Sequence, residues 1–146
     1  MSDGDDPHDL QRFVSAQDEI YADALRELRS AHKQGHWMWF VFPQLDGLGR
    51  SETAKFFALK SQAEAVAYLQ HEILGPRLAE CAAALLAVEG RTAREILGSP
   101  DDFKLHSSMT LFAAVVGEDC VFHEVLAKFF DGAPDARTLE LLAASR

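Results

Sequence analysis

Cysteine is scarce in this sequence: Cys81 and Cys120 are the two among 146 residues. They lack metal-ligand spacing, so a cysteine-based zinc site and a disulfide framework are both excluded, and each reads as a free structural thiol. Long apolar runs are missing too. The longest, Trp37 to Phe42, falls far short of the roughly 20 residues that span a bilayer. The first residues, Met1-Ser2-Asp3-Gly4-Asp5-Asp6, are acidic and lack the apolar core of a secretory signal, which makes the cytosol the expected location. Positive charge is in deficit, 14 Lys and Arg against 23 Asp and Glu, for a net charge of −9. Such a surface repels nucleic acid and anionic lipid at long range, so neither is expected as a partner. Period-2 alternation, low-complexity tracts and internal repeats are also lacking, which argues against sheets, linkers and solenoids.

What the sequence does have is helix punctuation. Asp6-Pro7 reads as an N-cap followed by Pro at the first helical position, and Asp18 as a restart. Ser51 is placed to cap a helix through Leu59. Ser61-Gln62-Ala63-Glu64 and Thr92-Ala93-Arg94-Glu95 fit capping boxes. Gly75-Pro76 marks the start of an Ala- and Leu-rich helix. Ser99-Pro100-Asp101-Asp102 is the cleanest start, and its helix carries Leu105, Met109, Phe112 and Val116 as an apolar stripe. Asp119 and Asp135 are candidate caps for the last two helices. An apolar fraction of 48% is that of a packed protein. The expectation is all-α: one compact domain of about seven or eight short helices over residues 6–146, a non-repeat orthogonal bundle. Residues 1–5 are expected to be a disordered acidic N-terminus. Helices this short are held by packing, so they must share one core.

The stretch from Lys33 to Ser51 contains both tryptophans. Trp37 to Phe42 is apolar on every face and reads as a buried helical turn or a short buried strand. Phe40, Val41 and Phe42 belong in the core, whereas Trp37, at the edge of the run, reads either as plain packing or as a ring that lines a pocket and stacks on a planar ligand. His36 beside it is the candidate acid/base. Pro43-Gln44 then leads into a turn with Gly47 and Gly49, ending on Arg50 and Ser51. A helix starting at Ser51 offers free N–H groups to an anion, and Arg50 a fork of donors. The turn is neither a Walker A loop nor a dinucleotide fingerprint. On the helix after Pro100, Asp101, Lys104, Ser107, Ser108 and Leu111 share a second face. Lys104 and Ser108 lie one turn apart, the spacing of a base and nucleophile pair.

These two stretches carry a resemblance. His36-Trp37-Met38-Trp39-Phe40-Val41-Phe42-Pro43-Gln44, with Gly47-Leu48-Gly49 and Ser51, is similar to the signature of the bacterial family called domain of unknown function 1810. So is Lys104-Leu105-His106-Ser107-Ser108-Met109-Thr110-Leu111-Phe112. Glu64-Ala65, Tyr68-Leu69, His71, Leu74-Gly75 and Arg77-Leu78 fit the pattern between them, and the resemblance runs from about Asp6 to Leu142. Phe57 and Glu72 depart from it, standing where Tyr and Pro are expected. The resemblance implies a small helical cytosolic protein and names no activity, substrate or cofactor. A calpastatin label attached to some members does not suit this chain, since calpastatin is a long disordered inhibitor and this sequence reads as a packed domain.

The functional expectation is a binding domain for a small anionic or planar ligand, of nucleotide or anion type. Its pocket would lie between the 36–51 stretch and the helix starting near residue 100. Trp37, Gln44, Arg50, Ser51, Lys104, Ser107 and Ser108 are the candidate ligand contacts, and His36, Lys104 and Ser108 the candidates for any catalysis. No metal or cofactor is implied. The alternative is a non-catalytic protein-interaction module.

Overall fold

A computed structural model describes residues 6–145; the N-terminal segment expected to be disordered lies outside the described residues. Within them the chain is all-helical, with ten helices. The sequence expectation is seven or eight; the four-residue turn within the apolar run is the element with no start signal of its own. The first two are α1 (Gln11–Asp18) and α2 (Tyr21–Arg29). The ambiguous apolar run contains a single helical turn, α3 (Met38–Val41). After it come α4 (Glu52–Phe56) and α5 (Gln62–Gln70). The long α6 (Leu74–Ala87) and the short α7 (Ala93–Leu97) lead to the central α8 (Asp101–Val116). The chain closes with α9 (Val121–Phe130) and α10 (Ala136–Ala144).

Side-chain caps set four of the ten helix starts. Ser51 Oγ accepts from the Ala54 amide at 3.1 Å and Ser61 Oγ from the Glu64 amide at 3.2 Å. Thr92 and Glu95 form the reciprocal capping box. Asp135 Oδ2 accepts from the Thr138 amide at 3.1 Å. Other starts differ from the sequence reading. Asp6 does receive amides, from Leu10 at 2.8 Å and Gln11 at 2.9 Å, but the helix it serves begins only at Gln11. The α8 boundary is Pro100 rather than Ser99, and that of α9 is Cys120 rather than Asp119. Gly75 sits inside α6, where a Cβ would lie 2.1 Å from the Leu69 carbonyl oxygen. The start that Gly75-Pro76 marks is therefore correct to within one residue, and Gly75 itself allows the close approach of α5 and α6.

The core is organised around α8, which packs against α5, α7, α9 and α10. Leu105, Met109, Leu111 and Phe112 are all buried, and so are Ser107, Ser108 and Thr110. The polar face expected on this helix is therefore enclosed. Its hydroxyls turn back on the backbone: Ser107 Oγ donates to the Phe103 carbonyl at 3.2 Å and Thr110 Oγ1 to the His106 carbonyl at 2.8 Å. Phe13 meets Tyr68 edge-on at 5.1 Å, and Tyr68 lies against Phe112 at 5.6 Å. Gln17 is buried beside them and donates from Nε2 to the Phe40 carbonyl at 2.6 Å and to Tyr68 Oη at 3.1 Å. Among the described residues no helix is long and apolar enough to cross a membrane.

Candidate functional site: a cleft between the 44–54 turn and α8

Glu27 on α2 fixes the segment that leads into the tryptophans. Its Oε1 accepts from the Gln34 amide at 2.8 Å, the Gly35 amide at 2.9 Å and the Trp37 indole Nε1 at 2.9 Å. Burial acts to raise its carboxyl pKa, but the three donors and nearby Lys33 outweigh that and hold it below the ordinary range. Lys33, almost fully enclosed, reaches α8: its Nζ lies 2.8 Å from Asp101 Oδ2 and 5.1 Å from the Trp37 ring centroid. Its backbone amide donates to the Ile96 carbonyl of α7 at 2.8 Å. The 33–37 segment is thus tied to α2, α7 and α8 together.

That anchoring settles the two indoles differently. Trp37 is 1% exposed and its N–H is taken by Glu27, so it is a core residue and does not stack on a ligand. Two positions on, Trp39 is half-buried, and the Lys104 ammonium sits 4.5 Å above its ring. This cation–π contact joins the tryptophan stretch to α8.

Beside that contact is a cleft of about 280 Å³. Gln44, Leu48, Gly49 and Ala54 line one wall, and Pro100, Phe103, Lys104 and Ser107 of α8 the other. Asp135 and Arg137, at the start of α10, close a third side. Gly49 permits the turn to fold onto α4, since a Cβ there would come 2.4 Å from the Ala54 Cβ. Asp135 is a clasp: its amide donates to Thr110 Oγ1 at 2.9 Å, and its Oδ2 accepts from Ser107 Oγ at 3.4 Å and Thr138 Oγ1 at 2.5 Å. Lys104 Nζ is 3.2 Å from Asp101 Oδ1, and Arg137 Nη1 3.2 Å from Glu140 Oε1. The cleft thus carries cations that are half-compensated, a free amide on Gln44 and the ring of Phe103, which is 64% exposed.

The sequence candidates divide accordingly. Gln44, Lys104 and Ser107 are brought together. Arg50 is exposed and outside the lining, and the Ser51 hydroxyl caps a five-residue helix, so neither joins the cleft. His36 is also exposed and outside the lining. Ser108 is fully buried with its hydroxyl unpartnered, and Lys104 is directed to Asp101 and Trp39, so the two do not make a base and nucleophile. Phe103, Asp135 and Arg137 line the cleft without a signal in the sequence. Trp39 meets Lys104 but is outside the lining, and the α10 residues join the cleft through a long-range contact that no local signal carries. Among the described residues no group of three His, Cys, Asp or Glu is placed to hold a metal ion.

Fold and site together define a small all-helical domain with a cleft of mixed polarity where a Gly-rich turn meets the central helix. The chain belongs to the family described as protein of unknown function DUF1810, matched over residues 7–142. It is similar to the conserved hypothetical protein Rv1873 from Mycobacterium tuberculosis, known from a crystal structure. The two share 54% identity and superpose with a TM-score of 0.93, covering 94% of this chain and 99% of that one. No curated protein matches the chain.

Proposed function

We propose that the domain binds a small planar molecule bearing one anionic group in the cleft between the 44–54 turn and α8. The observation that carries this reading is the convergence of Gln44, Lys104, Ser107 and Arg137 around one cavity. Lys104 and Arg137 supply charge for a carboxylate or phosphate, Gln44 supplies orientation, and Phe103 and Leu48 supply apolar walls. The volume of about 280 Å³ is at the lower edge of ligand sites. It suits an aromatic acid or a nucleobase-sized group better than a whole nucleotide. Because Asp101 and Glu140 already pair with the two cations, a dianion is less suited than a monoanion. A cytosolic location belongs to the same reading and is supported by the two thiols, which stand free.

Thermal-shift screening against aromatic acids and nucleobase derivatives tests it. A ligand at 100 times its Kd stabilises the fold by about 2.7 kcal/mol, which is readable as a shift of several degrees. Stabilising compounds should lose about tenfold or more in affinity in Lys104→Ala and Gln44→Ala, and keep it in Arg50→Ala. Absence of any stabilising compound, or affinity unchanged in the first two variants, overturns the reading. The competing reading, a protein-interaction module, is favoured by one observation: Phe56 is 56% exposed in a shallow depression with His8, Lys55 and Lys60. A partner lost in Phe56→Ser but kept in Lys104→Ala would support that reading instead.

A further inference from the structure

The two cysteines have opposite surroundings. Cys81 is fully enclosed in α6, and burial pushes its thiol up to about 12. It is chemically silent in the folded chain. Cys120 is half-exposed at the boundary of α9, with its Sγ 3.2 Å from His123 Nδ1. The pair opens onto a recess of about 440 Å³ lined by Asp119, Cys120, His123, Glu124 and Ala127. This recess shares no residue with the cleft beside α8.

From this geometry we propose that Cys120 and His123 form a thiol-exchange site that takes small amine-bearing disulfides. Two features act together. The imidazole nitrogen is within reach of the thiol proton and can accept it. The recess gives an incoming disulfide room to approach the sulfur, and its rim carries the carboxylates of Asp119 and Glu124. Those carboxylates oppose an anionic reagent and attract a cationic one.

The step balances without an external oxidant. The Cys120 thiolate attacks one sulfur of the disulfide, and a new S–S bond forms as the old one breaks. The Cys120 sulfur is oxidised, while the departing sulfur is reduced and leaves as a thiolate, taking up the proton that His123 accepted. An ordinary thiol is only a few per cent ionised at pH 7. Complete ionisation therefore accelerates exchange by at most about thirtyfold, less what is lost in intrinsic nucleophilicity. An acceleration of about tenfold over free cysteine is the expectation.

The experiment uses the full reduced chain at pH 7, with cystamine and glutathione disulfide in parallel and free cysteine as reference, followed by intact mass and peptide mapping. Expected is one adduct per folded chain, on Cys120, formed with cystamine about tenfold faster than on free cysteine. The ratio of cystamine to glutathione disulfide rates should exceed the cysteine ratio, and Asp119→Asn with Glu124→Gln should return it toward that value. His123→Gln should slow the reaction about tenfold. A wild-type rate equal to that of free cysteine overturns the proposal, as does equal labelling of Cys81 in the folded chain. So does an unchanged rate in a His123→Gln chain with the wild-type melting temperature. The wild-type comparison stands alone should that variant fail to fold.

Discussion

Replacing Glu27 by Ala removes the single oxygen that accepts from Gln34, Gly35 and Trp37. The three bonds are not equal. The two amides lie in a half-exposed segment where water replaces the lost acceptor, so each is worth about 0.5 kcal/mol. The indole N–H is different: Trp37 is 1% exposed, and its donor stays dry and unpaired. That costs about 1–2 kcal/mol. The sum, about 2–3 kcal/mol, corresponds to a fall of roughly 6–10 °C in Tm for a chain of this size. Glu27→Gln keeps a neutral acceptor and should lose about 1 kcal/mol. Trp37→Phe removes the donor, so in a double-mutant cycle Glu27→Ala should cost about 1 kcal/mol less in its background. The assay is thermal and urea unfolding followed by circular dichroism. The pH dependence has a definite sign. Because the folded carboxyl titrates below its ordinary value, the wild-type advantage over Glu27→Gln is full above about pH 5. It is lost as pH falls through the depressed value. A Tm within 2 °C of wild type in Glu27→Ala, or full additivity in the cycle, would refute the assignment of Trp37 as a core residue anchored by Glu27.

Two further substitutions test the packing of the helices. Arg12 donates to the carbonyls of His8, Asp9, Phe56 and Ala58 and pairs with buried Glu64 at 2.7 Å. Arg12→Ala strands that carboxylate and should cost about 3–5 kcal/mol in urea unfolding. Gly75→Ala puts a methyl against the Leu69 carbonyl and should lower stability by about 3 kcal/mol or prevent soluble expression. A Gly75→Ala chain as stable as wild type would show that α5 and α6 slide apart freely.

Local chemistry was the legible part. Ser51, Ser61, Thr92 and Asp135 act on amides three residues away, so their caps follow from adjacent residues. The join between the tryptophan stretch and the helix after Pro100 was also legible, through the two motifs that carry the resemblance. That Trp37 belongs to the core was not, because it is decided by Glu27, ten residues earlier on another helix. The face of α8 misled for a related reason. Ser107 belongs by pattern to an open polar face, yet it and Thr110 each donate to the preceding turn and are buried. Arg12 and Lys33 carry no local sign of burial in the sequence, yet Glu64 and Asp101 draw them inside.

The Asp135 clasp bears on the order in which the site comes into being. A chain emerging from the ribosome presents the Gln44 wall early and the α8 wall much later. The third wall exists only when Asp135 has reached Thr110 and Ser107. Until then the two serine and threonine hydroxyls of α8 have only their own helix to bond, and the cleft is a groove open on one side. Completion of the site therefore coincides with arrival of the last helix, and a chain cut short before residue 135 has much of the core but no finished cleft.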